Sequence, residues 1–233
     1  MIKTEEKYIK KIEKALQNFT NLENAAKQKK YMKNRFDFFG LKAPIRRKAT
    51  RELMKKKQRP DYKAVRIIVR KLWQKLEREY QYFAIELLER YKKQFKKDIM
   101  ELFESMITNK SWWDTVDIIA KKLVGEYFRL FPKQRGRYIE KWINSDNIWL
   151  QRTSLLFQLG YKKNTDSDLL FDIIEQLKTI DEFFIQKAIG WALREYSKVN
   201  PELVVSYMEN HKLSTLSRKE GLKIINKLDK SQK

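Results

Sequence analysis

Trp113 and Asp117 stand four residues apart in the stretch 109–123, NKSWWDTVDIIAKKL. On an α-helix that spacing sets an indole and a carboxylate on one face, one turn apart. An indole face attracts a cationic group, by roughly 0.5–2 kcal/mol when desolvated. A carboxylate stabilises a developing positive charge or orients a water. Two further side chains extend this chemistry: Arg152 in WLQRTSLL and Trp191 in KAIGWALREYSKVNP. An arginine fork can hold a phosphate through two parallel bonds. Two indoles, one carboxylate and one guanidinium together suit a polyanion that carries a local positive charge.

Taken singly, each of these residues has a plainer reading. A tryptophan at helical spacing usually packs a core, Asp117 could pair with a surface cation, and Arg152 could pair with an acid inside the stack. Asp114 follows Trp113 directly, so it faces elsewhere and suits the start of a helix, where negative charge is favoured. His211 is the only histidine and lies away from these motifs, a surface residue. The runs Lys55-Lys56-Lys57 and Lys92-Lys93 are solvated or phosphate-facing.

The elements that must position the four residues are helical. Only 6 glycines and 4 prolines interrupt 233 residues, and no alternating strand stands out. Residues 4–19 place Tyr8, Ile12, Leu16 and Phe19 on one stripe, with Thr4 as N-cap. Further helices are expected over 22–34, from 41 with Pro44 in the first turn, and from an Asp61 cap through Val65, Ile68, Leu72 and Trp73. The stretch 109–123 reads as a polar turn and then a helix, with Ile118, Ile119 and Leu123 inward. Helices beginning near Tyr80, Trp112, Asn147 and Phe183 are spaced by 32, 35 and 36 residues. Setting Trp149 on Phe184 aligns Gln151 with Gln186 and Arg152 with Lys187. Shorter helices fall between them, near 95–107, 134–144 and 166–178. Helix pairs at such a period predict an all-α fold, an α-solenoid of stacked antiparallel pairs (HEAT-like repeats) with a basic concave face. An irregular helical bundle is the other possibility. On the solenoid reading Tyr80, Trp113, Arg152 and Trp191 project from neighbouring helices onto that face. Pro201 opens a terminal helix pair running to about Leu228, followed by a frayed tail from about 229. No linker divides the chain, so residues 1–233 are read as a single domain.

Lysine plus arginine total 52 against 30 acids, a net charge of +22. Such a charge calls for a polyanionic partner, nucleic acid before an anionic membrane surface. There is no cysteine, which excludes disulfides and thiolate chemistry. The N-terminus has no apolar segment of signal-peptide type, and no run approaches a membrane span, so a soluble cytoplasmic protein is expected. Composition and spacing alone reach a helical-repeat protein that binds DNA or RNA.

Four separated segments carry a more specific resemblance. YMKNRFDFFGLKAPIRR at 31–47, KSWWDTVD at 110–117, WLQRTSLL at 149–156 and the Trp191 helix at 187–201 resemble, in order, the AlkD-type DNA alkylation repair enzymes. These are HEAT-like-repeat DNA glycosylases, and the likeness spans about 200 residues. It implies hydrolysis of the N-glycosidic bond of N3- and N7-alkylpurines in duplex DNA, leaving an abasic site. By the same resemblance Asp117 is the catalytic carboxylate, Trp113 and Trp191 flank the lesion's deoxyribose, and Arg152 holds the backbone there. Tyr31 is a further contact on the DNA side, and Lys187, aligned with Arg152, is counted with it as DNA-binding. Neither a cofactor nor a metal is expected, nor an obligate protein partner, and a monomer is the default. A non-catalytic HEAT-like module that binds nucleic acid or protein is the alternative.

Overall fold

The computed structural model describes residues 4–227, so the expected tail from 229 and the helix end near Leu228 lie outside the described residues. The described residues form fourteen α-helices with short 3-10 and π segments between them, and contain no strand beyond one isolated bridge between Asp37 and Glu77. The chain forms two compact units, residues 1–96 and 97–233.

The first unit holds α1 (Thr4–Gln17), α2 (Leu22–Tyr31), α3 (Ala43–Thr50), α4 (Tyr62–Gln74) and α5 (Arg78–Glu89). Tyr8, Ile12 and Leu16 of α1 are buried as their spacing predicts. Phe19 is not: α1 stops at Gln17, which takes Phe19 out of the helical stripe and leaves it exposed. Asp61 caps α4 by accepting from the Ala64 N–H at 2.8 Å, and Pro44 sits in the first turn of α3. Residues 36–41 are organised by a buried acid of α5. Glu79 accepts from the backbone N–H groups of Phe39, Gly40 and Leu41 at 3.0–3.1 Å. Burial pushes its carboxyl up, and those bonds draw it back. Gly40 has φ +86°, and a Cβ there would lie 2.1 Å from the Asn21 carbonyl, so only glycine fits. Tyr80 does not project onto a surface as expected. It is 3% exposed and meets Phe39 edge-on at 5.4 Å, because the first residues of α5 face the unit's interior.

The second unit holds α6 (Ile99–Thr108), α7 (Trp113–Ile119), α8 (Gly125–Leu130), α9 (Arg135–Ile143), α10 (Ile148–Leu156), α11 (Ser167–Leu177), α12 (Phe183–Tyr196), α13 (Pro201–Asn210) and α14 (Thr215–Gly221). A π-helical segment, Ala120–Val124, joins α7 to α8 without a break. Ile119 and Leu123 are buried; Ile118 is exposed. The inward arc is Val116, Ile119, Ala120 and Leu123, and Ile118 lies about 200° round the helix from Val116.

The repeat register is regular. α5, α7, α10 and α12 begin at Arg78, Trp113, Ile148 and Phe183, 35 residues apart each time. A buried glutamine at the fourth position of three of these helices binds carbonyls left over where the preceding helix ends. Gln81 donates to Trp73 and Lys75, Gln151 to Ile143 and Ser145, and Gln186 to Lys178 and Ile180. Each glutamine thus fixes how its helix sits on the one before it.

Candidate active site

α7 starts from a tight turn. Lys110 takes the left-handed conformation at φ +51°, and the Ser111 hydroxyl donates to the Ile107 carbonyl at 2.6 Å. Trp112 then occupies the N-cap position in extended conformation and is buried, while Trp113 is the first helical residue and half-buried. Trp112 belongs to packing. Its ring lies 5.7 Å from Trp149 and 5.0 Å from Phe184, and those two are 5.0 Å apart. This aromatic triangle ties together the starts of α7, α10 and α12. Asp114, buried in the first turn of α7, lies where the helix's partial positive charge favours an acid.

Asp117 and Arg152 meet directly. Arg152 Nε donates to Asp117 Oδ1 at 2.7 Å and Nη2 to Oδ2 at 2.9 Å, a bidentate pair. The two side chains are 11% and 4% exposed. The remaining arm of the guanidinium, Nη1, donates to the Phe184 carbonyl on α12. Arg152 therefore links α7, α10 and α12 through one planar group. α10 tolerates such a residue because its polar side chains all find partners: Gln151 as above, Thr153 at the Trp149 carbonyl and Ser154 at the Gln151 carbonyl.

Burial pushes the Asp117 carboxyl above its ordinary value, the Arg152 bonds and charge oppose this, and nearby Asp114 adds a smaller upward push. Both carboxylate oxygens accept from a guanidinium that cannot give up its proton, which is the geometry of the ionised acid. The expected use of Arg152 on a DNA phosphate is a separate matter. In this structure its fork is occupied by Asp117 and Phe184.

Trp191 lies half-buried in the middle of α12, with Lys187 one turn before it and Arg194 one turn after, on the same helix face. Lys187, expected to face DNA, pairs with Glu220 of α14 at 2.5 Å; Arg194 reaches the other oxygen of Glu220 at 2.8 Å. Lys223 also donates to Glu220. Burial works against the Glu220 charge, but the bonds and charges of Lys187 and Lys223 outweigh it and hold the carboxyl at about 2. α14 comes this close because residue 190 is glycine: a Cβ there would lie 2.4 Å from the Glu220 Cβ.

Tyr31 belongs to the first unit, at the end of α2, and is 71% exposed. His211 keeps 36% of its side chain exposed, while its ring stacks on Tyr207 at 4.2 Å and its Nδ1 faces the Tyr207 carbonyl at 2.8 Å.

Sequence reasoning did not single out Phe184 as a partner of Arg152, nor Glu220 or the π-helical segment. The Phe184 contact had a signal in the alignment of α10 with α12. The π-helical segment had none, since the apolar spacing across it is that of an ordinary helix. It adds one residue to the turn directly after Asp117, a kind of irregularity that is frequent at functional sites.

The helical-repeat architecture defines an all-α protein in which a buried carboxylate, on the helix that begins with half-buried Trp113, is paired with an arginine one repeat on. The sequence model of the DNA alkylation repair enzyme family matches residues 12–225, and the chain belongs to that family. A solved structure described as a predicted DNA alkylation repair enzyme from Enterococcus faecalis is similar at 37% identity and TM-score 0.81, over 88% of this chain and 95% of that one. AlkD2 from Streptococcus mutans is similar at 21% identity and TM-score 0.59, over 75% and 86% of the two chains. The protein smu.31 from Streptococcus mutans UA159 gives 21% identity and TM-score 0.58, over 74% and 87%. No curated protein matches the sequence. The likenesses carry the fold, an α-solenoid of stacked antiparallel helix pairs. No described helix is long and apolar enough to cross a membrane.

Proposed function

We propose that this chain is a DNA glycosylase that excises N3- and N7-alkylpurines from duplex DNA. The observation that carries the reading is the buried bidentate pair of Asp117 and Arg152 on the helix that begins with Trp113. Alkylation at N3 or N7 makes the purine cationic and hence a good leaving group, so the C1′–N bond breaks without a strong general acid. Positive charge then develops on the sugar, in an oxocarbenium-like state of the kind carboxylates stabilise in glycoside hydrolysis. Asp117 stabilises that charge and orients the water that adds to C1′; the departing base takes the bond electrons and leaves neutral, and the water's proton passes through Asp117 to solvent. Trp113 and Trp191 flank the sugar and add cation–π attraction. Arg152 keeps Asp117 aimed and ionised. A backbone phosphate contact by Arg152 would share or displace one of its present bonds. Tyr31 and Lys187 contact the DNA, Lys187 by exchanging Glu220 for a phosphate. The protein acts as a single-domain monomer in the cytoplasm and needs no cofactor.

The test is release of 7-methylguanine or 3-methyladenine from methylated duplex DNA by the purified chain, with the abasic site left behind. Tight duplex binding without release of either base would replace this reading with that of a non-catalytic nucleic-acid-binding module.

A further inference from the structure

The net charge is divided very unevenly between the two units. Residues 1–96 carry 29 lysines and arginines against 11 acids, a net +18. Residues 97–233 carry 23 against 19, a net +4, although this unit is larger and contains Trp113, Asp117, Arg152 and Trp191. The residues suited to the chemistry thus stand in a nearly balanced unit, while the charge stands in the other.

A second observation lies in α2. None of its ten residues is buried, and it ends on exposed Tyr31. Its attachment is largely a backbone affair: the Asn21 N–H donates to the Phe39 carbonyl at 2.8 Å, and Gly40 lets the start of α2 approach closely. A ten-residue helix is marginal in water without an apolar face to bury. What α2 presents instead is charge, with Lys27, Lys29 and Lys30 inside it and Lys33 and Arg35 just after. Lys27 pairs with Glu23 and Lys29 with Asp37. Lys30 and Lys33 are exposed and have no acidic partner among the described residues, as is also true of Lys48 on α3. The turn after α2 holds Lys33 and Asn34 in left-handed conformations at φ +54° and +58°.

We infer that the first unit, with α2 and its following turn foremost, is the part of the protein that grips duplex DNA through its phosphates, independently of sequence and of damage. The second unit adds the chemistry and little of the affinity. The identity of the polyanion rests on the proposed glycosylase reading; the location of the grip does not.

Salt dependence separates the two units, because each phosphate contact contributes about 0.9 to the slope of log K against log salt. In the full-length chain, K30Q/K33Q/K48Q is compared with K133Q/K163Q/K219Q, which removes the same charge from exposed lysines of the second unit. Affinity for an undamaged duplex is measured across a salt series, with thermal unfolding to confirm that both variants fold. The first variant is expected to lower the slope by about 2–3 and weaken binding at least about tenfold at low salt. The second is expected to stay within about twofold of wild type. Equal losses from both, or the larger loss from the second, overturn the inference. Tighter binding of wild type to phosphatidylserine vesicles than to duplex DNA also overturns it. Failure of the wild type to release alkylated bases would end the glycosylase reading and leave the undamaged-duplex result intact.

Discussion

Asp117 and Arg152 occupy the same position, the fifth residue, of α7 and α10, and the 35 residues between them are one repeat. An acid and a base at equivalent places in consecutive repeats meet across the helix interface and close a bidentate pair. The next residue in the series is Lys187 on α12, which finds its acid, Glu220, on α14. Repetition thus generates a row of charged positions, and the first pair of the row is the one next to Trp113.

Asp117→Asn is expected to slow base release by about 10²–10³. Asparagine keeps an oxygen for one Arg152 bond but cannot offset a cationic sugar. Binding of undamaged duplex should stay within about threefold. Removing one partner of a buried pair costs about 3–5 kcal/mol, so the melting temperature is measured alongside. Wild-type excision by a folded Asp117→Asn protein would remove Asp117 from the mechanism.

The pH profile tests the pair as a unit. Asp117 must be ionised to act, and burial raises its carboxyl above the usual range while Arg152 restrains that rise. Single-turnover excision should therefore fall off on the acidic side as Asp117 takes up a proton. Arg152→Gln deletes the restraining cation, so the acidic limb should move to higher pH. A limb at the same pH in both proteins would dissociate Arg152 from the charge state of Asp117.

Glu220 offers a prediction on stability. Its carboxyl is held at about 2 in the folded protein, against 4.5 for an ordinary glutamate. A depressed folded value contributes stability fully above the unfolded value, and the contribution disappears as pH falls from about 4.5 to about 2. Urea unfolding of wild type should show that loss across the interval, and Glu220→Gln should be less stable at pH 7 with a flatter acid dependence. Parallel pH profiles for the two proteins would deny the cluster this role.

Much of this arrangement could be read from the chain. The helix starts expected near Tyr80, Trp112, Asn147 and Phe183 fall within two residues of those observed, because apolar periodicity and turn residues are local signals. The alignment of Gln151 with Gln186 has a direct structural counterpart, since both side chains bind carbonyls eight and six residues before them. What escaped depends on direction and distance. Ile118 is apolar and lies among apolar residues, yet it points outward. Tyr80 resembles a surface aromatic in sequence and is core. That Arg152 could pair with an acid in the stack is legible in the sequence; the bidentate contact with Asp117, across one full repeat, is supplied by the fold.

The indoles provide the sharpest discrimination between chemistry and electrostatic attraction. Each cation–π contact with a desolvated sugar cation is worth roughly 0.5–2 kcal/mol, which corresponds to about 2–30-fold in rate. Trp113→Ala and Trp191→Ala should each slow single-turnover excision by an amount in that range at saturating enzyme. Trp191→Phe keeps an aromatic face and should recover part of the loss. Lys122→Ala removes an exposed charge from the π-helical segment after α7 and should leave the saturated rate unchanged, with any effect confined to binding at low salt. If the lysine and tryptophan variants slow the saturated step alike, the indoles contribute nothing specific to the cationic sugar. The aromatic side of the site would then be reduced to packing of the Trp112, Trp149 and Phe184 kind.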